Sequence, residues 1–192
     1  MMRCLGNKII LLAFATMFSV NSISVLAGDN NAAYVTQIGQ SNSYISKQNG
    51  TNLSASSIQT GSYNNTNINQ SGSNNFISSS QAGSSNNNIL IQDGSNNNIS
   101  ASQIGYSNNL TQSQMGIQNV AMILQNGNGN YANEQQIGNG NNINLKQIGN
   151  NNYSSDKQVG NNDTINKTQT GNGLVSSITQ IGSGMSVTVN QH

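Results

Sequence analysis

The 192-residue chain has no proline and no tryptophan, a single cysteine, and only 6% charged residues. Three phenylalanines and six tyrosines are its whole aromatic complement. Each scarcity excludes something. With a third of its residues hydrophobic, the chain cannot build an ordinary core of Leu, Phe and Trp, since typical domains are ~45–50% apolar and ~25% charged. A formal net charge of +1, with lysines scattered after residue 30, excludes an electrostatic nucleic-acid binder. Disordered chains are usually rich in proline and charge, and this one has neither. Low-charge sequences rich in Gln and Asn belong instead to the β-aggregating class. The only cysteine, Cys4, precedes the first apolar run, so no disulfide framework is expected. His192 stands alone, and Asp156 and Asp163 have no His or Cys near them. No catalytic, cofactor-binding or metal-ligating residue is therefore expected, and neither is an enzyme.

What is abundant is amide and hydroxyl. Asn (38), Gln (19), Ser (28) and Gly (20) make up more than half of the chain. The N-terminus reads differently. Arg3 and Lys8 precede an apolar run from Ile9 to Val20, and Val25-Leu26-Ala27 follow a polar stretch. This is the pattern of a secretory signal peptide over residues 1–27, with cleavage expected before Gly28. The apolar run of ~12 residues is too short for a membrane anchor, which needs ~20. Residues 28–36 read as a short polar lead-in, and residues 37–192 as one repeat array.

The array is strictly periodic. Gln recurs every eleven residues at Gln37, Gln48, Gln59, Gln70, Gln81, Gln92, Gln103, Gln114, Gln125, Gln136, Gln147, Gln158, Gln169, Gln180 and Gln191. All but the last are followed two residues later by glycine: Gly39, Gly50, Gly61, Gly72, Gly83, Gly94, Gly105, Gly116, Gly127, Gly138, Gly149, Gly160, Gly171 and Gly182. Five residues after Gln comes Asn42, Asn64, Asn75, Asn86, Asn97, Asn108, Asn119, Asn130, Asn141 or Asn152, with Leu53, Asp163, Leu174 and Met185 as exceptions. The unit is Q-x-G-x-x-N-x-x-x-x-x, and repeats at a fixed period signal a solenoid or array.

Side chains alternate faces along a strand. Counted from the Gln, positions five, seven, nine and eleven therefore share one face, and the eleventh is the next Gln. The Gly, Ser and Asn after each Gln mark a turn. Each unit is expected to form one strand of ~6–7 residues and one tight turn. Two residues past the Asn slot, alternate units carry Ala55, Ile77, Ile99, Ala121, Ile143, Ile165 and Val187, all apolar, while the others carry a mixed set. The true period is therefore 22. The expected fold is all-β, a two-sheet β-solenoid of strand–turn–strand coils. Stacked coils lie ~4.8 Å apart, so each Gln and Asn amide meets its own kind. A primary amide can donate to one neighbour and accept from the other. Such pairing offsets the cost of burying it.

Q-x-G-x-x-N with Gln recurring every eleven residues resembles the curlin repeat of bacterial curli subunits, over residues 37–191. The resemblance implies a secreted structural subunit of extracellular functional amyloid fibres, exported through the periplasm and an outer-membrane secretion apparatus. It further implies a cell-surface fibre of the pilus or fimbrium kind, with itself and a second curlin subunit as partners, serving adhesion and biofilm. The Gly-rich segment that leads major curlin subunits is missing here. The end of the array, with Met185, Val187, Val189 and His192, looks more like a minor, nucleating subunit. No nucleic acid, cofactor or small-molecule substrate is implied. The competing class is a monomeric secreted β-solenoid adhesin or binding module. An ice-binding face would show an ordered Thr array, and Thr occupies no fixed slot.

Two further expectations concern assembly. Uncapped solenoid edges expose unpaired backbone groups, so terminal coils should pair with other copies. Charge is concentrated between Glu134 and Lys167. The alternation turns Glu134, Asp156 and Lys167 inward, which makes them candidate gatekeepers that slow premature pairing.

Overall fold

The computed structural model of the chain describes the backbone of residues 10–16 and 22–27, and residues 30–192 in full. The expected cleavage point before Gly28, with Arg3 and Lys8, lies outside the described residues. No proline interrupts the chain, and polar and apolar residues alternate, so the backbone is free to run as one strand after another. Among the described residues seventeen strands result: β1 (Ile10–Thr16), β2 (Ser22–Ala27), β3 (Ala32–Gln40), β4 (Ser43–Thr51), β5 (Ser54–Ser62), β6 (Asn65–Ser73), β7 (Phe76–Ser84), β8 (Asn87–Ser95), β9 (Asn98–Tyr106), β10 (Asn109–Ile117), β11 (Val120–Asn128), β12 (Tyr131–Asn139), β13 (Asn142–Ile148), β14 (Tyr153–Asn161), β15 (Thr164–Thr170), β16 (Val175–Ser183) and β17 (Ser186–Gln191).

Odd strands form one parallel sheet and even strands the other. The chain alternates between them, so each coil contributes one strand to each sheet. From β3 to β15 strand residues pair with those 22 positions later, for example Gln81 with Gln103 and Gln136 with Gln158. The fold is the two-sheet β-solenoid that the 22-residue period calls for.

Two local details differ from the sequence reading. Most strands have nine residues rather than six or seven, and β3 starts at Ala32, so residues 32–36 lie inside the first coil. The reversal also comes later than the glycine. Gly39, for instance, is the eighth residue of β3, with φ of 114°. The left-handed residue is the one before the Asn slot: Ser41 (φ 54°), Asn74 (φ 55°) and Ser107 (φ 54°), with Gly129, Gly140, Gly173 and Gly184 taking that place in later coils. Asn and Gly tolerate this region most readily.

The core lies between the sheets. Ala55, Ile77, Ile99, Ala121, Ile143 and Ile165 are fully buried and stack within the odd sheet. Tyr44, Ile68, Leu90 and Leu110 face them from the even sheet. On the outer face Tyr131 and Tyr153 stack across one coil step, with ring centroids 5.1 Å apart.

Candidate functional site

The inward glutamines form two unbroken ladders. In the odd sheet Gln37 Nε2 donates to Gln59 Oε1 at 2.7 Å, and the same bond recurs rung by rung until Gln169 donates to Gln191 at 2.8 Å. In the even sheet the ladder runs from Gln48 to Gln180 at 2.8–3.1 Å. The second Nε2 proton crosses to the other sheet. It reaches the carbonyl sixteen residues back, as from Gln103 to Asn87 at 3.0 Å and from Gln125 to Asn109 at 3.1 Å. Each amide therefore ties coil to coil and sheet to sheet. A net ~1 kcal/mol per bond, repeated at every rung, lets amides do the work that apolar volume does elsewhere.

The asparagines at 31, 42, 64, 75, 86, 97, 108, 119, 130, 141 and 152 work differently. Each Oδ1 accepts the backbone N–H of the same slot one coil on, as Asn75 does from Asn97 at 2.9 Å. Each Nδ2 donates to a glycine carbonyl, as Asn97 does to Gly116 at 2.9 Å. Direct Asn–Asn amide bonds also occur, at 3.1–3.2 Å. The Asn slot is mainly a clamp on the turn backbone. Asp163 keeps half of that role, accepting from the Met185 N–H at 2.9 Å. Leu53 and Leu174 keep none of it.

The glycine slot answers to crowding. A Cβ on Gly94 would sit 2.0 Å from the Gly116 carbonyl oxygen. At the last coil that pressure ends, since a Cβ on Gly171 would meet nothing closer than 3.4 Å.

The structure brings the three inward charges together. Glu134 (β12) and Asp156 (β14) are register partners in the even sheet. Lys167 (β15) crosses from the odd sheet to pair with the Asp156 carboxylate, both side chains fully buried. Ser154 joins them. Its hydroxyl accepts from Lys167 Nζ at 3.1 Å and lies 3.0 Å from Glu134 Oε1 and 3.2 Å from Asp156 Oδ2. Burial, then the Asp156 charge, push the Glu134 carboxyl well above the usual range, which favours its neutral form beside the Lys167–Asp156 pair. Sequence reasoning left out Ser154, although the same two-residue alternation places it inward. It also passed over Gln112, a buried second glutamine that donates to Gln136 Oε1 at 3.4 Å.

The two ends of the array are unlike. At the C-terminal end the inner positions Leu174, Ile178, Met185, Val187 and Val189 are only half-buried, because β16 and β17 are the outer strands of their sheets. At the other end β1 and β2 lie on β3 and β4. Neither family models nor curated proteins provide a match to this chain. Among the described residues, no group of three or more His, Cys, Asp or Glu could hold a metal ion.

Proposed function

We propose that the chain is a self-assembling structural subunit of an extracellular curli-type amyloid fibre. One observation carries this reading: parallel strands stack in register every 22 residues, with glutamine ladders running unbroken through both sheets. The same stacking between chains is the cross-β arrangement. The outer strands β16 and β17, where the inner Ile178, Val187 and Val189 are only half-buried, present parallel edges on which another strand can pair. Export by a signal peptide, a cell-surface fibre, a second curlin subunit as partner, and a role in adhesion and biofilm belong to the same reading, through the resemblance of the repeat. So does nucleation by the apolar C-terminal coil.

The test is incubation of the purified, processed chain. Concentration-dependent, seedable fibres with a ~4.7 Å meridional reflection are expected. Deleting residues 181–192 should abolish or strongly slow their growth. A stable monodisperse monomer would favour the alternative, a secreted solenoid adhesin.

A further inference from the structure

The glutamine ladders have a direction. Every described rung donates its Nε2 toward the C-terminal coil. The first rungs therefore present acceptors, and Gln37 Oε1 and Gln48 Oε1 are buried with no hydrogen-bond partner. The last rungs present donors. Gln180 Nε2 donates to the Thr164 carbonyl at 3.3 Å and Gln191 Nε2 to the Val175 carbonyl at 3.1 Å. Each amide nitrogen keeps its second proton for a further rung. Strands β1 and β2 do not complete the ladder. Their register sets Ala15 against Gln37 and Ala27 against Gln48, and alanine has no amide. The β2–β4 pairing is also offset by 21 residues where every other pairing is offset by 22.

We propose that β16 and β17 of one copy dock on β3 and β4 of the next, with successive copies turned by half a coil so that the two sheets exchange along the fibre. This rests on the fibre reading and on release of the residues before Gly28. The half-turn follows from parity. Strands β3 to β17 number fifteen, and strands alternate between the sheets. After β17 in the odd sheet, the next vacant place lies on β16 in the even sheet. Setting like sheet on like sheet would leave that place empty and orphan both its edges. Placing β3 of the next copy there, and β4 on β17, fills both sheets. Gln180 then donates to Gln37 and Gln191 to Gln48, which satisfies the two orphaned acceptors. Ile178 meets Val35, extending the core. Joining two C-terminal edges instead would set donor against donor.

The sequence adds an independent observation. Gly28-Asp29-Asn30-Asn31 keeps the phase of the G-x-x-N part of the repeat, eleven residues ahead of Gly39 and Asn42. Asn30 already has the turn conformation, with φ of 54°. Asn31 already clamps the backbone, Nδ2 to the Gly50 carbonyl at 3.1 Å and Oδ1 from the Leu53 N–H at 2.9 Å.

Disulfide trapping in assembled fibres tests the register, using the processed chain, which lacks Cys4. The outward positions Thr36 and Thr179 become neighbours in the exchanged arrangement, at the ~4.8 Å strand spacing that suits a disulfide. In the like-on-like arrangement Thr36 faces Asn190. Oxidised T36C/T179C fibres should run as covalent multimers in denaturing gels, and T36C/N190C fibres as monomers. Crosslinking through Asn190→Cys, or none through Thr179→Cys, overturns the proposal while leaving the fibre reading intact. Absence of fibres from the unmodified chain defeats the fibre reading itself. If the cysteine variants do not assemble, helical reconstruction of unmodified fibres decides. A rise of about 36 Å per copy with about half a turn of rotation is expected, and a rise without that rotation refutes the exchange.

Discussion

The middle coils and the last coils are built from one repeat yet hold together by different means. Between β7 and β11 the interior is mostly Ile, Leu and Ala, with Ser79, Asn88 and Gln112 among them but no charge, and glutamine ladders run on either side. Around β12 to β15 the same inward positions carry Glu134, Ser154, Asp156 and Lys167. The glycine slot differs as well, being crowded by a coil above it in the middle and open at the end. The repeat therefore prescribes the backbone, and what fills positions seven and nine sets how each coil resists opening. In a quasi-one-dimensional array such differences stay local.

The comparison can be broken most strongly at the ion pair. Lys167→Met leaves Asp156 charged and buried with no cation, which should cost about 3–5 kcal/mol. Denaturant unfolding of the soluble chain measures this, and hydrogen exchange should show the loss confined to the coils around β14 and β15. Isosteric Ile99→Leu in the middle, with no charge to strand, should cost under about 1.5 kcal/mol by the same measurement.

The glycine slot gives the next largest contrast. Gly94→Ala drives a Cβ into the Gly116 carbonyl and should cost about 3 kcal/mol. Gly171→Ala carries only the penalty of its positive φ, about 1 kcal/mol. Equal destabilisation of the two would show that crowding between coils is not what selects glycine.

Gln103→Leu removes one rung from the middle. It strands the Gln81 Nε2 and Gln125 Oε1 groups that Gln103 now satisfies, at about 1–3 kcal/mol for each buried group left unpaired. Gln191→Leu at the open end takes a partner from Gln169 Nε2 and from the exposed Val175 carbonyl, so only one buried group is affected and it should cost less than half as much in thermal unfolding.

The smallest effect at neutral pH, and the sharpest in kind, is at Glu134. Its folded carboxyl is held above the unfolded value by burial and by Asp156. The folded state therefore binds more protons across that window. Stability is full below the ordinary glutamate range and falls as pH rises through the raised value. Asp156 on β14 and Lys167 on β15 are the charged groups facing it. Glu134→Gln should flatten the fall in stability of the last coils above the ordinary glutamate range and leave the middle coils unchanged. A retained slope there would place its origin elsewhere.

Much of this architecture is legible in the residues. Gln37 to Gln191 at a constant spacing, and the alternation of apolar and mixed residues two places past the Asn slot, lead to a 22-residue coil with two sheets. The inward face follows from parity, and it puts Glu134, Asp156 and Lys167 inside. The turn was less legible. Glycine signals a reversal by composition, yet Gly39 ends a strand and Ser41 makes the turn. Sequence distinguishes neither case, because both slots favour small residues with positive φ.

The sequence by itself determined period, parity and the identity of every column, since these depend only on spacing and on which way a strand points its side chains. The tertiary structure decided what depends on atoms meeting across coils. It assigned Gln to side-chain ladders and Asn to backbone clamps, gave the ladders their direction, and put Ser154 between the three charges. The reason is physical. A repeat specifies which residues are stacked, whereas a hydrogen bond also needs the donor and acceptor within about 3 Å and correctly aimed, and only the packed coils bring them there.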